Sequence, residues 1–356
     1  MWIFMLGLFR EGALLPLVGV DFGSHTIKAV SLTGREGKFF IDALANVATP
    51  KGVFVDYQLQ DIERVVHALK ALKRSLPSSD YASVSVTGSH VITKVLSLDA
   101  SLSEADLHEQ VMLEAEQLIP FPLDEISLDY ESLGPNPSDP ERQDVLLSAA
   151  RTESISGRVS ALAEAGWTAK VMDVGVHALG RGVLACCPEL ADSTHATGIV
   201  DIGSGSLTFA VLVRGEVIHS RWQNFGGDQL TQAVASFYTM SQEEAELAKC
   251  SHSLPHTFAE EVVPGYVVSL IQQVKRNIQL FCSASNFREL SGLVLTGGGS
   301  VLSGLPMQLA DELNLEVIHP DPIALFRHPK LAIDEHGARY MTALGLALRS
   351  FTPCQI

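Results

Sequence analysis

No CxxC pair occurs in this 356-residue chain, and its five cysteines (Cys186, Cys187, Cys250, Cys282 and Cys354) are an odd number. That excludes a zinc ribbon and argues against the disulfide framework of a secreted domain, so the thiols are expected to be reduced and mostly buried. No run of basic residues is present either, since 25 Lys and Arg face 41 Asp and Glu for a net charge of −16. A chain of this sign repels a polyphosphate backbone over its general surface, which excludes nonspecific nucleic-acid binding. An anionic small ligand would need local amides, a few cations or a metal to overcome the field. Missing, too, is any apolar run of the roughly 20 residues that cross a bilayer. The longest is Met1 to Phe9, MWIFMLGLF, followed at once by Arg10 and Glu11. With no basic stretch ahead of it, a cleaved signal peptide is not expected. It reads either as a mis-started terminus, Met5 being an equal start, or as a short segment that touches a membrane or partner. The expected location is the cytoplasm. What is abundant is apolar: 46% hydrophobic residues against 19% charged suit buried cores rather than a disordered chain, and the length suits two or three domains.

The most informative feature is an internal repeat. Residues 18–34, VGVDFGSHTIKAVSLTG, match residues 198–214, GIVDIGSGSLTFAVLVR, without a gap. Val20 falls on Val200, Asp21 on Asp201, Gly23 on Gly203, Ser24 on Ser204, Thr26 on Ser206 and Leu32 on Leu212. Each copy has a β-branched run, then Asp-x-Gly-Ser-x-[Thr/Ser], then an alternating apolar run, the pattern of a strand, a tight glycine turn and a second strand. Two such hairpins half a chain apart predict two similar domains related by a pseudo-twofold axis.

Between the copies, Asp61 to Arg74 carries Ile62, Val65, Val66, Leu69 and Leu72 on one helical stripe. Tyr81 to Val86 reads as a strand. Ser103 and Asp106 are placed as N-cap and N3 of a second helix that stops at Pro120-Phe121-Pro122. Gly134 to Arg142 reads as a loop before a strand from Val145 to Ala150, and residues 81–150 as a compact α+β insertion. In the second half, Gln229 to Tyr238 and Gln242 to Lys249 are expected helices, as is Val262 to Phe281, interrupted early by Pro264. Gly292 to Leu295 is a strand running into Thr296-Gly297-Gly298-Gly299-Ser300, after which Leu302 to Leu313 returns to helix. Tyr340 to Arg349 is a final helix whose Ala and Gly positions permit close packing.

The glycine turns carry the chemistry. Successive backbone amides in a turn form a concave donor cluster suited to phosphate oxygens, and glycine permits close approach. Two facing hairpin turns can clamp one polyphosphate, with the hydroxyls of Ser24, Thr26, Ser204 and Ser206 as further donors. Asp21 and Asp201 would repel phosphate unless a divalent cation lies between, most simply Mg²⁺ held through its waters. Lys28 lies two residues beyond Thr26 on the same strand face and can reach a β- or γ-phosphate, whereas the second copy has Thr208 there. The triple glycine is not a Walker A loop, because no Gly-Lys-[Ser/Thr] follows, and the GxGxxG spacing is absent.

Val20-Asp21-Phe22-Gly23-Ser24, Val200-Asp201-Ile202-Gly203-Ser204 and Thr296-Gly297-Gly298-Gly299-Ser300 resemble, in that order, the two phosphate motifs and the adenosine motif of the actin-like ATPase superfamily. Within it, Glu114 to Glu125 (EAEQLIPFPLDE) followed by Leu128-Asp129-Tyr130 looks like the signature of the PilM family of type IV pilus assembly proteins, relatives of the division protein FtsA. The opening Met5 to Arg10 is similar to how such proteins begin. The resemblance implies an α/β, ribonuclease H-like fold of duplicated domains around a nucleotide cleft, with an FtsA-type inserted α+β subdomain. Its implied divisions are a leading segment 1–16, a first subdomain 17–80 with 151–195 and 325–356, and a docking subdomain 81–150. A second subdomain takes 196–240 with 276–324, and a small one 241–275. It also implies ATP and Mg²⁺ as ligands. Asp21, Gly23, Ser24, His25, Thr26 and Lys28 would face Asp201, Gly203, Ser204, Gly205 and Ser206 across the phosphates. Gly297, Gly298, Gly299 and Ser300 would lie against adenosine, Glu246 and Lys249 against ribose, and Asp21 and Asp201 would hold the metal through water. His25 departs from the small residue usual in the first loop. Gly226-Gly227-Asp228 resembles a further superfamily turn, and Asp173 and the 340–348 helix fall where the connecting segments lie.

Implied partners are the cytoplasmic N-terminal peptide of PilN, other platform proteins and motor ATPases, with self-association an option and membrane association through those partners at the inner membrane. ATP hydrolysis in that family is weak or disputed, and no residue stands out as a base to activate water. Two other functions share the fold. A sugar- or acetate-type kinase needs a carboxylate base beside an acceptor pocket. An FtsA-like membrane filament carries a basic amphipathic C-terminal helix, which Ser350 to Ile356 does not supply.

Overall fold

A computed structural model describes residues 16–351 apart from 36, 56–57, 89–90, 137, 252 and 329–334. The apolar segment Met1 to Phe9 and the end Thr352 to Ile356 therefore lie outside the described residues. In chain order the first half contains β1 (Val18–Phe22), β2 (Thr26–Arg35), β3 (Lys38–Ala48), the short β4 (Phe54–Val55) and β5 (Gln58–Leu59), α1 (Ile62–Arg74) and β6 (Tyr81–Val86). β7 (Ile92–Asp99), α2 (Glu104–Leu118), β8 (Ile126–Asn136) and β9 (Asp139–Arg151) follow, then α3 (Thr152–Glu164), β10 (Thr168–Val174) and α4 (Gly175–Cys186). The second half contains β11 (Thr197–Ile202), β12 (Leu207–Val213), β13 (Glu216–Gln223), α5 (Gly227–Tyr238), α6 (Gln242–Cys250), α7 (Val263–Ala284), β14 (Gly292–Thr296), α8 (Leu305–Leu313), β15 (Val317–Ile318), α9 (Pro322–Phe326) and α10 (Met341–Ala347).

The repeat becomes two sheets of one topology. The first has strand order β10-β6-β1-β2-β3 and the second β15-β14-β11-β12-β13. In each, three strands meander antiparallel and two more join in parallel on the other side of the first strand. Register repeats as well: Asp21 pairs with Lys28, and Asp201 with Thr208. Parallel strands buried on both faces favour apolar runs; β14 (GLVLT) is one, while β6 (YASVSV) is nearly as deeply buried but carries the small buried Ser83 and Ser85.

One core packs the first sheet against α1 and α3 through Val65, Leu69, Leu162 and Trp167, and another packs the second against α5, α7 and α8 through Val234, Leu270, Val274 and Leu309. A third lies between the sheets, where Leu179, Val183, Met341 and Leu344 bring α4 and α10 against both. α10 packs so closely that a Cβ on Gly19 of β1 would overlap the Ala343 carbonyl, and one on Gly345 would overlap the Ala178 carbonyl of α4. The small positions expected for close packing thus meet backbone on two sides.

Six sequence expectations need correction. Strand Tyr81–Val86 pairs with β1 and β10, so it belongs to the first sheet and the inserted unit begins at β7, with its own sheet β7-β9-β8 and a core of Leu96, Val111, Ala115 and Leu147. Residues 134–142 are the tip of a hairpin rather than a loop: β8 runs to Asn136 and pairs across the turn with Asp139. Pro135 is tolerated because β8 is an edge strand, and Pro140 because it lies beyond Asp99, the end of the neighbouring β7. Pro264 opens α7 instead of interrupting it, occupying the first turn, where its missing N–H costs nothing, after a π-turn at Phe258–Val262. The helix after the triple glycine begins at Leu305, not Leu302, because Gly298–Val301 forms a 3-10 turn and Gly304 enters the helix at φ 76°. The boundaries at 275 and 324 fall inside α7 and α9, which run through them unbroken. Of the described cysteines only Cys187 is buried, while Cys250 is exposed.

Candidate functional site: the cleft between the two hairpin turns

Both hairpin turns point into one cavity of about 680 Å³. Fourteen of the seventeen residues expected at the site line it: Asp21, Gly23, Ser24, His25, Thr26 and Lys28 from the first hairpin, Asp201, Gly203, Ser204 and Ser206 from the second, Glu246 and Lys249 from α6, and Gly298 and Gly299. Gly205 stands at the contact between the turns, where its N–H donates to Ser24 Oγ at 3.3 Å. Gly297 and Ser300 face away from the cavity wall. Gly297 N donates to Ala338 O, and the fully buried Ser300 Oγ donates to Gly297 O at 2.6 Å and meets His319 Nε2 at 2.9 Å.

The turns are built by local hydrogen bonding. Gly203 N donates to Ser206 O at 2.8 Å, closing the second turn, and Thr49 Oγ1 donates to Gly23 O at 2.7 Å, bracing the first. The start of α5 docks on the second turn: Gly227 N and Asp228 N donate to the carbonyls of Gly203 and Ser204, and the Asp228 carboxylate accepts from Ser204 Oγ. A Cβ on Gly226 would stand 2.5 Å from Gly203 O, so this turn is glycine because two backbones meet there. Asp228 was singled out in the sequence only as part of that turn.

Charge is arranged asymmetrically. Lys28 Nζ lies 3.3 Å from Asp21 Oδ2, both side chains mostly buried, while the corresponding Thr208 leaves Asp201 without a cation of its own. Burial and the nearby Asp21 push the Asp201 carboxyl up to about 6, with Lys28 pulling the other way. The folded state therefore prefers the protonated form, and the stability this contributes is complete below about pH 4 and lost as the pH rises through about 6. In the ligand-free protein, Asp201→Asn should accordingly gain on wild type as the pH is raised from 4 to 7.5. The expected difference is on the order of 1–2 kcal/mol, allowing for water at the cleft mouth, and thermal melts at the two pH values would measure it. Equal pH dependence in both proteins would contradict the raised carboxyl.

Glu246 and Lys249 form a 2.6 Å ion pair that also engages Thr231 Oγ1. Burial opposes ionisation of Glu246, but Lys249, Thr231 and Cys250 together hold its carboxyl below the ordinary value. His25 reaches across the cleft to 3.7 Å from Glu246 Oε1, and Lys51 pairs across it with Glu243. Sequence reasoning missed Cys250 and Arg339, which also line the cavity. Cys250 lies on the helical face of Glu246 and was discoverable by spacing; Arg339 is placed by tertiary packing alone. Thr208 and Trp222 also line the cavity, as do Thr87 and Gly88 after β6 and Thr93 on β7 of the inserted unit. Among the described residues no group of three or more His, Cys, Asp or Glu side chains is placed to hold a metal unaided. No helix among them is long and apolar enough to cross a membrane.

Residues 19–351 match the family model for the type IV pilus assembly protein PilM. Among solved structures the chain is similar to the PilM-PilN type IV pilus biogenesis complex, with 25% identity, a TM-score of 0.83, and coverage of 96% of this chain and 100% of that one. It is similar in fold to MreB 5 of Spiroplasma citri bound to AMPPNP, at 11% identity and a TM-score of 0.50, covering 94% and 95% of the two chains. Among curated proteins it is 21% identical over 381 residues to the cell division protein FtsA of Bacillus subtilis (strain 168), covering 92% of this chain and 82% of that protein.

Proposed function

The chain belongs to the PilM family of type IV pilus assembly proteins and has the actin-like ATPase fold, and from that premise we propose that it is a nucleotide-binding adaptor that docks the cytoplasmic tail of PilN. The observation that carries the nucleotide half is the convergence of both glycine turns and the Glu246–Lys249 pair on one cavity, with Lys28 as the cation beside the turns. Amides and hydroxyls of the turns receive the phosphates, Lys28 neutralises part of their charge, and Glu246 takes the ribose hydroxyls. The residues fit a hydrated divalent cation: Asp21 and Asp201 are hard oxygen donors, the Asp201 carboxyl is near enough to Asp21 to feel its charge, and among the described residues no third carboxylate joins them in a cluster that would bind a metal unaided. Mg²⁺, which keeps most of its waters, would be held there through those waters, and when bound it screens the phosphates from the two aspartates. The same fold occurs in MreB 5 with bound AMPPNP, which supports this reading.

The partner half rests on the inserted unit β7-α2-β8-β9, whose sheet has an open edge at β8 and whose connection to the first sheet lies on the cavity wall. A similar chain is found in complex with PilN. Tethering to PilN would hold the protein at the inner membrane, where it would link the platform to the cytoplasmic motor. A synthetic peptide of the PilN cytoplasmic tail should slow hydrogen exchange in residues 92–151 and the segments facing them. Protection confined to residues 196–324 would contradict the assignment of the docking unit.

A further inference from the structure

The two phosphate turns touch each other. Gly205 N donates to Ser24 Oγ at 3.3 Å, so an amide and a hydroxyl suited to phosphate oxygens are engaged with one another. A polyphosphate can lie between the turns only once they part. Two further contacts draw the same two halves together across the cleft. Lys51 Nζ, in the loop after β3, pairs with Glu243 Oε1, and His25 Nε2 lies 3.7 Å from Glu246 Oε1. Glu243 and Glu246 are three residues apart on α6, so the two contacts stand side by side on one helical face.

Both sides of this junction are braced. Thr49 N donates to His25 O at 2.9 Å and Thr49 Oγ1 to Gly23 O at 2.7 Å, which ties the start of the Lys51 loop to the first phosphate turn. Arg64 of α1 donates from Nη1 to Lys51 O at 2.9 Å and holds the loop from behind. Opposite, Ser241 and Glu244 form a capping box around the start of α6, and Glu246 and Lys249 both bond to Thr231 Oγ1 of α5. The first residues of α5, Gly227 and Asp228, donate in turn to the carbonyls of the second phosphate turn. A pull on Glu243 is thereby transmitted to Gly205, and a pull on Lys51 to Ser24.

Resting on the nucleotide reading, we propose that the Lys51–Glu243 and His25–Glu246 contacts form an autoinhibitory latch, which holds the two phosphate turns against each other until a nucleotide displaces it. The phosphates take the Gly205 amide from Ser24, and the ribose takes Glu246 from His25. A ligand that binds only the parted state has its apparent affinity lowered in proportion to the fraction of molecules already parted. The Lys51 and Glu243 side chains are exposed, and an exposed pair contributes little, so the latch tunes binding severalfold rather than abolishing it.

Lys51→Glu separates the latch from simple charge attraction, because the two predict opposite signs. Replacing a cation by an anion at the cleft weakens ATP by attraction alone. The same change sets two carboxylates against each other where the latch closes, which parts the turns and tightens ATP. Calorimetry at physiological ionic strength, where exposed charges are screened beyond about 8 Å, should show Mg-ATP binding about threefold more tightly to Lys51→Glu than to wild type. The double variant Lys51→Glu with Glu243→Lys restores the pair in reverse and should bind as wild type does. In the unmodified full chain without nucleotide, a zero-length carbodiimide should couple Lys51 to Glu243, scored by peptide mass spectrometry, and saturating Mg-ATP should lower the yield severalfold. Unchanged or weaker binding by Lys51→Glu, a double variant as tight as Lys51→Glu, no coupling of Lys51 to Glu243, or a yield that ATP does not lower overturns the latch while the nucleotide reading stands. Absence of ATP binding by wild type and Lys51→Glu alike overturns the nucleotide reading and the latch with it.

Discussion

Gly345→Ala should prevent the protein from reaching its native fold, or lower its melting temperature by more than ten degrees, although it adds one methyl group to a helix where alanine is intrinsically preferred. The new Cβ would fall on the Ala178 carbonyl and 3.0 Å from Gly182 N, so it meets the backbone of α4 rather than a side chain that can rotate aside. α10 cannot retreat, because its other side lies on β1, where Gly19 is bare under the carbonyl of Ala343. Nor can α4 shift freely, since Arg181 ties it to Gly345 O and to the buried Asp173 at 2.9 Å each. Ordinary overpacking costs about 1–3 kcal/mol, and here three backbone layers must separate, at a cost of roughly 4 kcal/mol or more against a typical total of 5–15. Gly265→Ala is the matched control: it lies in the first turn of α7 with nothing within 4 Å of its added Cβ, and should be neutral or stabilising by about 0.5–1 kcal/mol. Thermal melts of both variants decide the matter. A Gly345→Ala protein that melts like wild type would mean that the two helices are not in backbone contact.

The duplicated hairpins were legible because their information is local: an Asp-x-Gly-Ser turn between alternating runs specifies strand, turn and register within 17 residues. The resemblance then assembled fourteen residues that the cavity brings together. What the sequence hid was nonlocal. Tyr81–Val86 is a strand by any local pattern, yet whether it belongs to the insertion or to the first sheet depends on its partners β1 and β10, and the turn around Gly88 looks like any other. Pro264 could break a helix or begin one, and only the chain before it decides. In Gly297-Gly298-Gly299 all three residues looked alike, but Ile202 accounts for two of them. Arg339 carries no motif at all, because its place beside the cavity is set by hydrogen bonds to the Ala338 carbonyl and by α10 packed behind it.

Lys28→Ala should weaken Mg-ATP binding about a hundredfold, the largest effect of any single change on the ligand. Lys28 is the cation between the two hairpin turns, in a chain of net charge −16, and its loss leaves Asp21 unpaired as well as the phosphates. A charge-assisted hydrogen bond in a mostly buried setting contributes about 1.5–3 kcal/mol, one to two orders of magnitude in affinity. Asp21→Ala separates the metal's part from the lysine's, because the aspartate acts with opposite sign in the two conditions. With Mg²⁺ present, removing Asp21 takes away an anchor for the metal's water and should weaken ATP about tenfold. With the metal chelated, the same change removes a carboxylate that repels phosphate and frees Lys28, so ATP should bind more tightly than to wild type. Titration calorimetry of wild type, Lys28→Ala and Asp21→Ala, each with excess Mg²⁺ and with chelator, gives six affinities that must show this reversal. If Asp21→Ala weakens ATP equally in both conditions, the aspartate is not a metal anchor. If Lys28→Ala leaves the Mg-ATP affinity unchanged, the polyphosphate does not lie between the two turns.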